Sequence, residues 1–512
     1  MNAQHAHELS VSHGGAERPK AAPTTHTLAL SSPLSVIILV ADGARPDTLR
    51  AAIERGAVPH LSRLCAEGGM HTVTTAWPSV TGVAYTPFLM GRFPGSVGIP
   101  GLRWFDRSRM IGAMLGHARS YVGWGMRHID RDLAPEAPTI FELADSSLGA
   151  LAVIGRGLPE SHRLGRGARF VARAARTHFS GDVRGWLAID RDIGQQVVRR
   201  LRNNTPQFVF AAFTGIDKSS HASGHTGALV HEALATIDNV VAEIRHDAER
   251  AGRWDHTHLW IVSDHGHSAV AHHDDLAVLF DESWGFRTLA HPWTLGAGHE
   301  VAVMVSGNAM AHIYLELTRR QRPYWPALRS RWSGVADALL ARESVDLLIL
   351  PHGRHKVEVR AARRGSAMIT TDETTYSYRP VDGDPLGIGL LDSADAREAF
   401  DATRDSDYPD GVVQIAHMAA ASRSGEIMLS ATRGWDFRER YEPIPHCSSH
   451  GGLHRYHMLA PLIVNQPVAH LPRRTVDVMP SALVAMGLPV PAGLDGESFV
   501  AEASSLALSV VE

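Results

Sequence analysis

Three apolar runs in this 512-residue chain are each followed by an acid flanked by glycine or histidine: Val40-Ala41-Asp42-Gly43, Phe213-Thr214-Gly215-Ile216-Asp217 and Val262-Ser263-Asp264-His265-Gly266-His267. In open α/β sheets ligands bind just beyond the carboxyl ends of the strands, so acids after three such runs would converge on one crevice. Carboxylates brought together repel unless cations neutralise them, and a polynuclear metal centre is the economical arrangement. Histidines stand where such a centre needs them. Asp217 and His221 are one helical turn apart, Asp264 and His265 are adjacent, and His450, in Ser449-His450-Gly451-Gly452-Leu453-His454, precedes the last apolar strand. Mixed imidazole nitrogens and carboxylate oxygens suit zinc, with manganese or iron as poorer fits. Each signal alone is weak, because an Asp after a strand is most often a helix N-cap. Their recurrence on successive strand ends carries the metal reading.

Such a centre still needs something to attack. Trp77-Pro78-Ser79-Val80-Thr81-Gly82-Val83-Ala84-Tyr85-Thr86-Pro87 reads as a loop entering a helix with Thr81 near its start. A hydroxyl there faces free N–H groups and the positive end of the helix dipole, which favour a bound anion. Local sequence by itself favours an ordinary N-cap at Thr81.

The elements that must position these residues alternate. Short β-branched or aromatic runs at Val36–Val40, Leu151–Ile154, Phe208–Phe213, His258–Val262, Val301–Val305 and Ile313–Leu317 read as buried strands. Between them Thr48–Arg55, Pro59–Ala66, Thr139–Leu143, Ile193–Leu201 and Ala228–Arg250 carry apolar residues at helical spacing. This pattern predicts an α/β fold of three layers, a mostly parallel sheet with helices on both faces. Residues 1–30 read as a flexible leader and 31–319 as the first part of the core. The rhythm breaks over 320–445, an inserted cap or subdomain with strand candidates at Val345–Leu350, Lys356–Val359 and Glu426–Leu429. It returns over 446–512 with a strand at Pro461–Val464 and a helix around Val476–Met486.

Composition narrows the partners. Lys+Arg 50 against Asp+Glu 54 leaves a net charge of −4, and 44% hydrophobic residues exclude wholesale disorder. No basic block marks a nucleic-acid or anionic membrane surface, so a small molecule is the expected partner. Nearly all the positive charge is arginine, the only lysines being Lys20, Lys218 and Lys356. Cys65 and Cys447 form no CxxC pair and read as buried thiols. With no secretory h-region and no run of roughly 20 apolar residues, the expected location is cytoplasmic.

In chain order, Asp42-Gly43-Ala44-Arg45-Pro46-Asp47, Pro78-Ser79-Val80-Thr81 with Gly91-Arg92-Phe93-Pro94 and Gly98-Ile99, Asp217-Lys218-Ser219-Ser220-His221, Ser263-Asp264-His265-Gly266 and Ser449-His450-Gly451 resemble the motifs of the alkaline phosphatase superfamily, above all its type I phosphodiesterase/nucleotide pyrophosphatase branch. The resemblance runs from about residue 34 to 499 and is weakest in the cap. It implies the alkaline-phosphatase-like fold and two divalent ions, zinc foremost and manganese next. One ion would be held by Asp42, Asp264, His265 and the Thr81 oxygen, the other by Asp217, His221 and His450. Thr81 would be the nucleophile, forming a covalent phosphothreonine that water then hydrolyses. His267 and His454 would stand behind the ligands. Phosphate ester hydrolysis needs accelerations reaching about 10²¹-fold, whereas a general base supplies typically 10²–10⁴, so cations are required on chemical grounds too.

The chain departs from the family at Leu102, where an Asn that binds a phosphoryl oxygen is usual, leaving the Gly82 amide or Arg103 for that oxygen. Ser220 replaces the family's glycine before His221, and Lys218 beside Asp217 is a candidate contact for substrate anion, as Tyr85, Phe88 and Trp104 are for a base or aryl group. Neither cysteine has the sulfatase context, and GxSxG and GxxxxGK[ST] are absent. The expected activity is hydrolysis of phosphodiester or pyrophosphate bonds. A phosphonate carbon–phosphorus hydrolase or phosphomonoesterase is the alternative within enzymes, and a catalytically silent metal- or ligand-binding protein the alternative outside them.

Overall fold

The run Ser35–Ala41 is buried over its whole length and becomes the middle strand of a seven-stranded sheet in the computed structural model, which describes residues 34–109, 117–291, 298–438, 440, 442 and 444–501. The expected leader over residues 1–30 lies outside the described residues. Across the sheet the order is Met70–Thr74, Leu459–Val464, Thr257–Val262, Ser35–Ala41, Phe208–Phe213, Ser147–Ala150 and Arg163–Leu164. The last five are parallel; Leu459–Val464 runs antiparallel to both its neighbours, so Met70–Thr74 at the edge points the same way as the five.

Alternation along the central strands fills two faces. Val36, Ile38 and Val40 join one apolar cluster with Phe210, Trp260 and the helix Val478–Ala485. Ile37, Leu39 and Ala41 join another, with Val209, Ile261 and the helices Pro46–Glu54, Pro59–Glu67, Val183–Asn203 and Ala228–Arg250. Strands apolar on both faces with helices covering each are the expected three layers. The run at Leu151–Ile154 falls just past its strand, which is Ser147–Ala150, because Leu151 takes a left-handed φ of 51°.

Val301–Ser306 and Met310–Tyr314 leave the alternating series. They pair antiparallel through a turn in which Gly307 and Asn308 have φ of 61° and 63°, and they belong to a second, nine-stranded sheet. That sheet runs from Thr288–Leu289 to Leu391–Asp395 and takes in Ile427–Ala431, so it begins upstream of residue 320. Its Gly307–Asn308 turn rests on the backbone of His450 through a bridge from Asn308 and the Ala309 N–H donating to His450 O at 3.0 Å. A small sheet of Gly434–Asp436, Ser268–His273 and Ser448–Ser449 then carries the chain from His267 and returns it to His450. Among the described residues no helix is long and apolar enough to cross a membrane.

Candidate metal centre

Asp42 is the first residue past its strand, its N–H donating to Phe213 O at 3.1 Å, and Asp264 lies two residues past the neighbouring strand. Asp217 sits in the first turn of the helix Gly215–Ser223, with His221 one turn on. Asp190 fixes that helix start from the buried face of Val183–Asn203, its carboxylate accepting the N–H groups of Thr214 at 3.1 Å and Gly215 at 2.6 Å. An acid on the apolar stripe of an amphipathic helix was the available signal for Asp190, and the sequence reading passed over it.

The acids and imidazoles expected to meet do meet. Asp42, Asp217, Asp264, His221, His265 and His450 are all buried. Around Asp42, Thr81 Oγ1 donates to Oδ1 at 3.0 Å and lies 3.1 Å from His265 Nε2, which is 3.2 Å from the same carboxylate oxygen. Around Asp217 Oδ1 stand His267 Nε2 at 2.9 Å, His221 Nε2 at 3.2 Å and His450 Nε2 at 3.4 Å. The His265 and His450 rings stack at 3.7 Å, joining the two groups.

The tautomers show what this cluster is built to hold. His221, His450 and His265 each donate Nδ1–H to a backbone carbonyl, of Ser448 at 2.8 Å, Ser79 at 2.9 Å and Gly266 at 3.1 Å. With Nδ1 committed, each Nε2 faces a carboxylate oxygen across a gap that only a cation can fill, a proton in the metal-free protein or a metal ion that displaces it. Asp264 Oδ2 is buried with no hydrogen-bond partner. A tetrahedral zinc with bonds near 2.0–2.1 Å sets its ligand atoms about 3.3 Å apart, and the separations above bracket that value. The donors fit divalent cations.

Electrostatics without a cation point the same way. Burial, then Asp42, pushes the Asp264 carboxyl well above the usual range, while Asp264 and Asp42 outweigh burial and lift His265 to about 9. Burial acts to raise Asp217 too, but Lys218 and His221 hold it well below the ordinary carboxylate value.

The sequence profile of the type I phosphodiesterase / nucleotide pyrophosphatase family matches residues 36–456. The chain belongs to this family. It is accordingly a phosphoric ester hydrolase of the alkaline phosphatase superfamily, and its buried Asp/His cluster matches the family's dependence on two metal ions. Among solved structures, phosphonoacetate hydrolase from Sinorhizobium meliloti 1021 in complex with phosphonoacetate is 18% identical, with 89% of this chain and 96% of that one covered at a TM-score of 0.54. Human ectonucleotide pyrophosphatase / phosphodiesterase 5 is 14% identical over 90% and 97% at 0.54, and an inactive form of the murine protein in complex with AMP is 13% identical over 90% and 96% at 0.53. At these identities the likeness carries the fold. No curated protein sequence matches.

Within this family frame the remaining candidates separate. Thr81 is not a cap: Gly82, at φ 84°, occupies the N-cap of Val83–Tyr85, and the Thr81 hydroxyl turns to Asp42 instead. Lys218 bonds Asp217 Oδ2 at 2.8 Å with its side chain one-third exposed. Tyr85, Phe88 and Trp104 have no open ring face; Tyr85 is 1% exposed and packs edge-on to Phe210, so the core claims all three. His267 reaches Asp217 directly, closer than the sequence implied, whereas His454 caps Arg455–Met458 away from the cluster. His446, unremarked in the sequence, stacks on His221 at 4.2 Å. Gly43 is required by crowding, since a Cβ there would meet His267 Nε2 at 2.9 Å and Asp217 Cα at 3.2 Å. Cys447 is exposed and Cys65 half-buried, so the expectation of buried thiols is corrected.

Proposed function

We propose that this protein hydrolyses phosphodiester or pyrophosphate bonds with Thr81 as nucleophile, through a covalent phosphothreonine, using two divalent ions that the donor set suits to zinc. Asp42, Asp264, His265 and Thr81 would hold one ion, and Asp217, His221 and His450 the other. The observation that supports this most is the Thr81 hydroxyl, 3.0 Å from Asp42 and 3.1 Å from His265 Nε2, inside a buried cluster of carboxylates and imidazole Nε2 atoms.

When bound, the ions supply Lewis-acid stabilisation of phosphoryl charge and ease deprotonation of a nearby hydroxyl. The chain's residues do the rest. Carbonyls of Ser448, Ser79 and Gly266 lock three imidazoles in the ligating tautomer. Asp42 orients Thr81 Oγ1, which attacks phosphorus; the bond to the leaving oxygen breaks, and that oxygen keeps the electron pair and takes a proton. Water then attacks the same phosphorus and Oγ1 leaves. Gly82 N–H and Lys218 are the proposed contacts for phosphoryl oxygens.

Aryl phosphate diester, monoester and phosphonate, assayed with zinc or manganese, test the reading. Diester turnover is the expected result. Preference for the monoester or phosphonate moves the assignment to those substrates, and no turnover of any phosphorus compound favours the silent binding protein.

Two further outcomes follow. Gly82→Ala forces a side chain into φ 84° with its Cβ 3.3 Å from Val153 Cγ1. Re-aiming Thr81 by about 1 Å costs on the order of 10² in kcat, with metal content unchanged. His265, lifted to about 9, carries a proton at pH 7 in the metal-free protein, and burial pushes the neighbouring Asp264 carboxyl up as well. Ligation requires His265 to give up its proton, so calorimetry in buffers of differing ionisation enthalpy should record net proton release, and affinity should rise with pH until His265 is neutral.

A further inference from the structure

His267 is fixed at three points. Its carbonyl accepts from Arg45 Nη1 at 2.7 Å, and Arg45 is itself held by Asp47, its Nε donating to Oδ1 at 2.9 Å, and lies over the Tyr456 ring at 4.5 Å. The edge of the imidazole fills the space a side chain on Gly43 would need, since a Cβ there would come within 2.9 Å of both Cδ2 and Nε2. Its Nδ1 lies 3.1 Å from Ser448 Oγ, and that hydroxyl donates its one proton to Ser268 O at 2.9 Å. The serine oxygen is therefore the acceptor and Nδ1 the donor, which puts the proton-free nitrogen of the neutral ring at Nε2.

That nitrogen stands against the inner oxygen of Asp217. His267 Nε2 is 2.9 Å from Oδ1, closer than His221 Nε2 at 3.2 Å and His450 Nε2 at 3.4 Å on the same atom. The outer oxygen, Oδ2, is taken by Lys218 Nζ at 2.8 Å. A residue that only steadied the carboxylate from behind would share Oδ2 with the lysine, whereas His267 shares Oδ1 with the ligands. The residue is fully buried, and the ligand atoms of Asp217, His265, His267 and His450 all lie within 4.8 Å of one another. An Nδ1 committed to an oxygen with Nε2 on a carboxylate repeats what holds for His221, His450 and His265.

We infer that His267 is a fourth protein ligand to the ion at Asp217, beside His221 and His450. This rests on the two-ion reading above. One carboxylate and three imidazoles complete the tetrahedral count that closes a zinc site. That ion is then held by the chain alone, and a substrate oxygen joins it only as a fifth ligand. The other ion, on Asp42, Asp264, His265 and Thr81, depends on a single imidazole, so the two sites differ in kind as well as in place.

Full-length protein with isotopically labelled histidine ring nitrogens, loaded with an NMR-active cadmium isotope, tests this by counting the imidazole nitrogens that show scalar coupling to each ion. Three on one cadmium and one on the other are expected in wild type, falling to two and one in His267→Gln. Two and one in wild type, or a third coupling that survives in His267→Gln, overturns the proposal. The glutamine variant also separates a ligand from a positioning residue, because its amide N–H can still donate to Asp217 Oδ1 but brings no imidazole. Zinc competition against a chromophoric chelator should show one ion weakened by more than about 10²-fold in that variant; a loss within the roughly 10–100-fold typical of an outer partner, or smaller, overturns the proposal. The wild-type count depends on neither the folding of a variant nor turnover, so failure of the diester assay would overturn the proposed activity and leave the count standing. Cadmium coupled to no imidazole would overturn the two-ion reading and this inference with it.

Discussion

Thr81→Ala is expected to lower diester turnover on the order of 10⁴–10⁶-fold, the range for loss of a catalytic nucleophile, with two ions still bound. Thr81 is half-buried, and the adjacent N-cap is Gly82, so the helical turn does not depend on the threonine side chain. Asp42, Asp264 and His265 remain to hold their ion. Thr81→Ser keeps an oxygen in place and should stay within about tenfold of wild type if the hydroxyl alone matters. Equal turnover in wild type and the alanine variant would remove Thr81 from the mechanism.

Asp217→Asn has the second largest expected effect. Its Oδ1 is the point on which three imidazole Nε2 atoms converge at 2.9, 3.2 and 3.4 Å, and its Oδ2 holds Lys218. Losing the charge leaves that ion with neutral ligands only and strands the lysine. Loss of an outer partner costs 10–100-fold in metal affinity, so loss of this ligand should exceed about 10²-fold, and elemental analysis should find one ion fewer per chain. His454→Ala is the contrasting case: its side chain accepts from Tyr456 N–H away from the cluster, and both ions should stay. Retention of two ions by Asp217→Asn would break the assignment.

The meeting of the proposed ligands was legible because each of these residues follows a strand or sits within the first turns of a helix, and strand ends in a parallel sheet share an edge. Periodicity could not say which sheet Val301–Ser306 and Met310–Tyr314 join, since a fully buried run looks the same in parallel and antiparallel company. The Gly307-Asn308 pair between them was a hairpin signal, and both residues do take positive φ. Tyr85 was placed near substrate by sequence proximity to Thr81, but the helical turn carries its ring onto Phe210. The closeness of His267 to Asp217 depends on the absent Cβ of Gly43, a contact between residues more than two hundred positions apart.

The stereochemical course at phosphorus tests the central claim most directly. Hydrolysis of a chiral phosphorothioate diester in isotopically labelled water proceeds with retention if Thr81 is first phosphorylated and then released, because two in-line displacements restore configuration. Retention is the predicted result. Inversion would mean that water attacks the substrate in one step, and the covalent phosphothreonine would have to be abandoned.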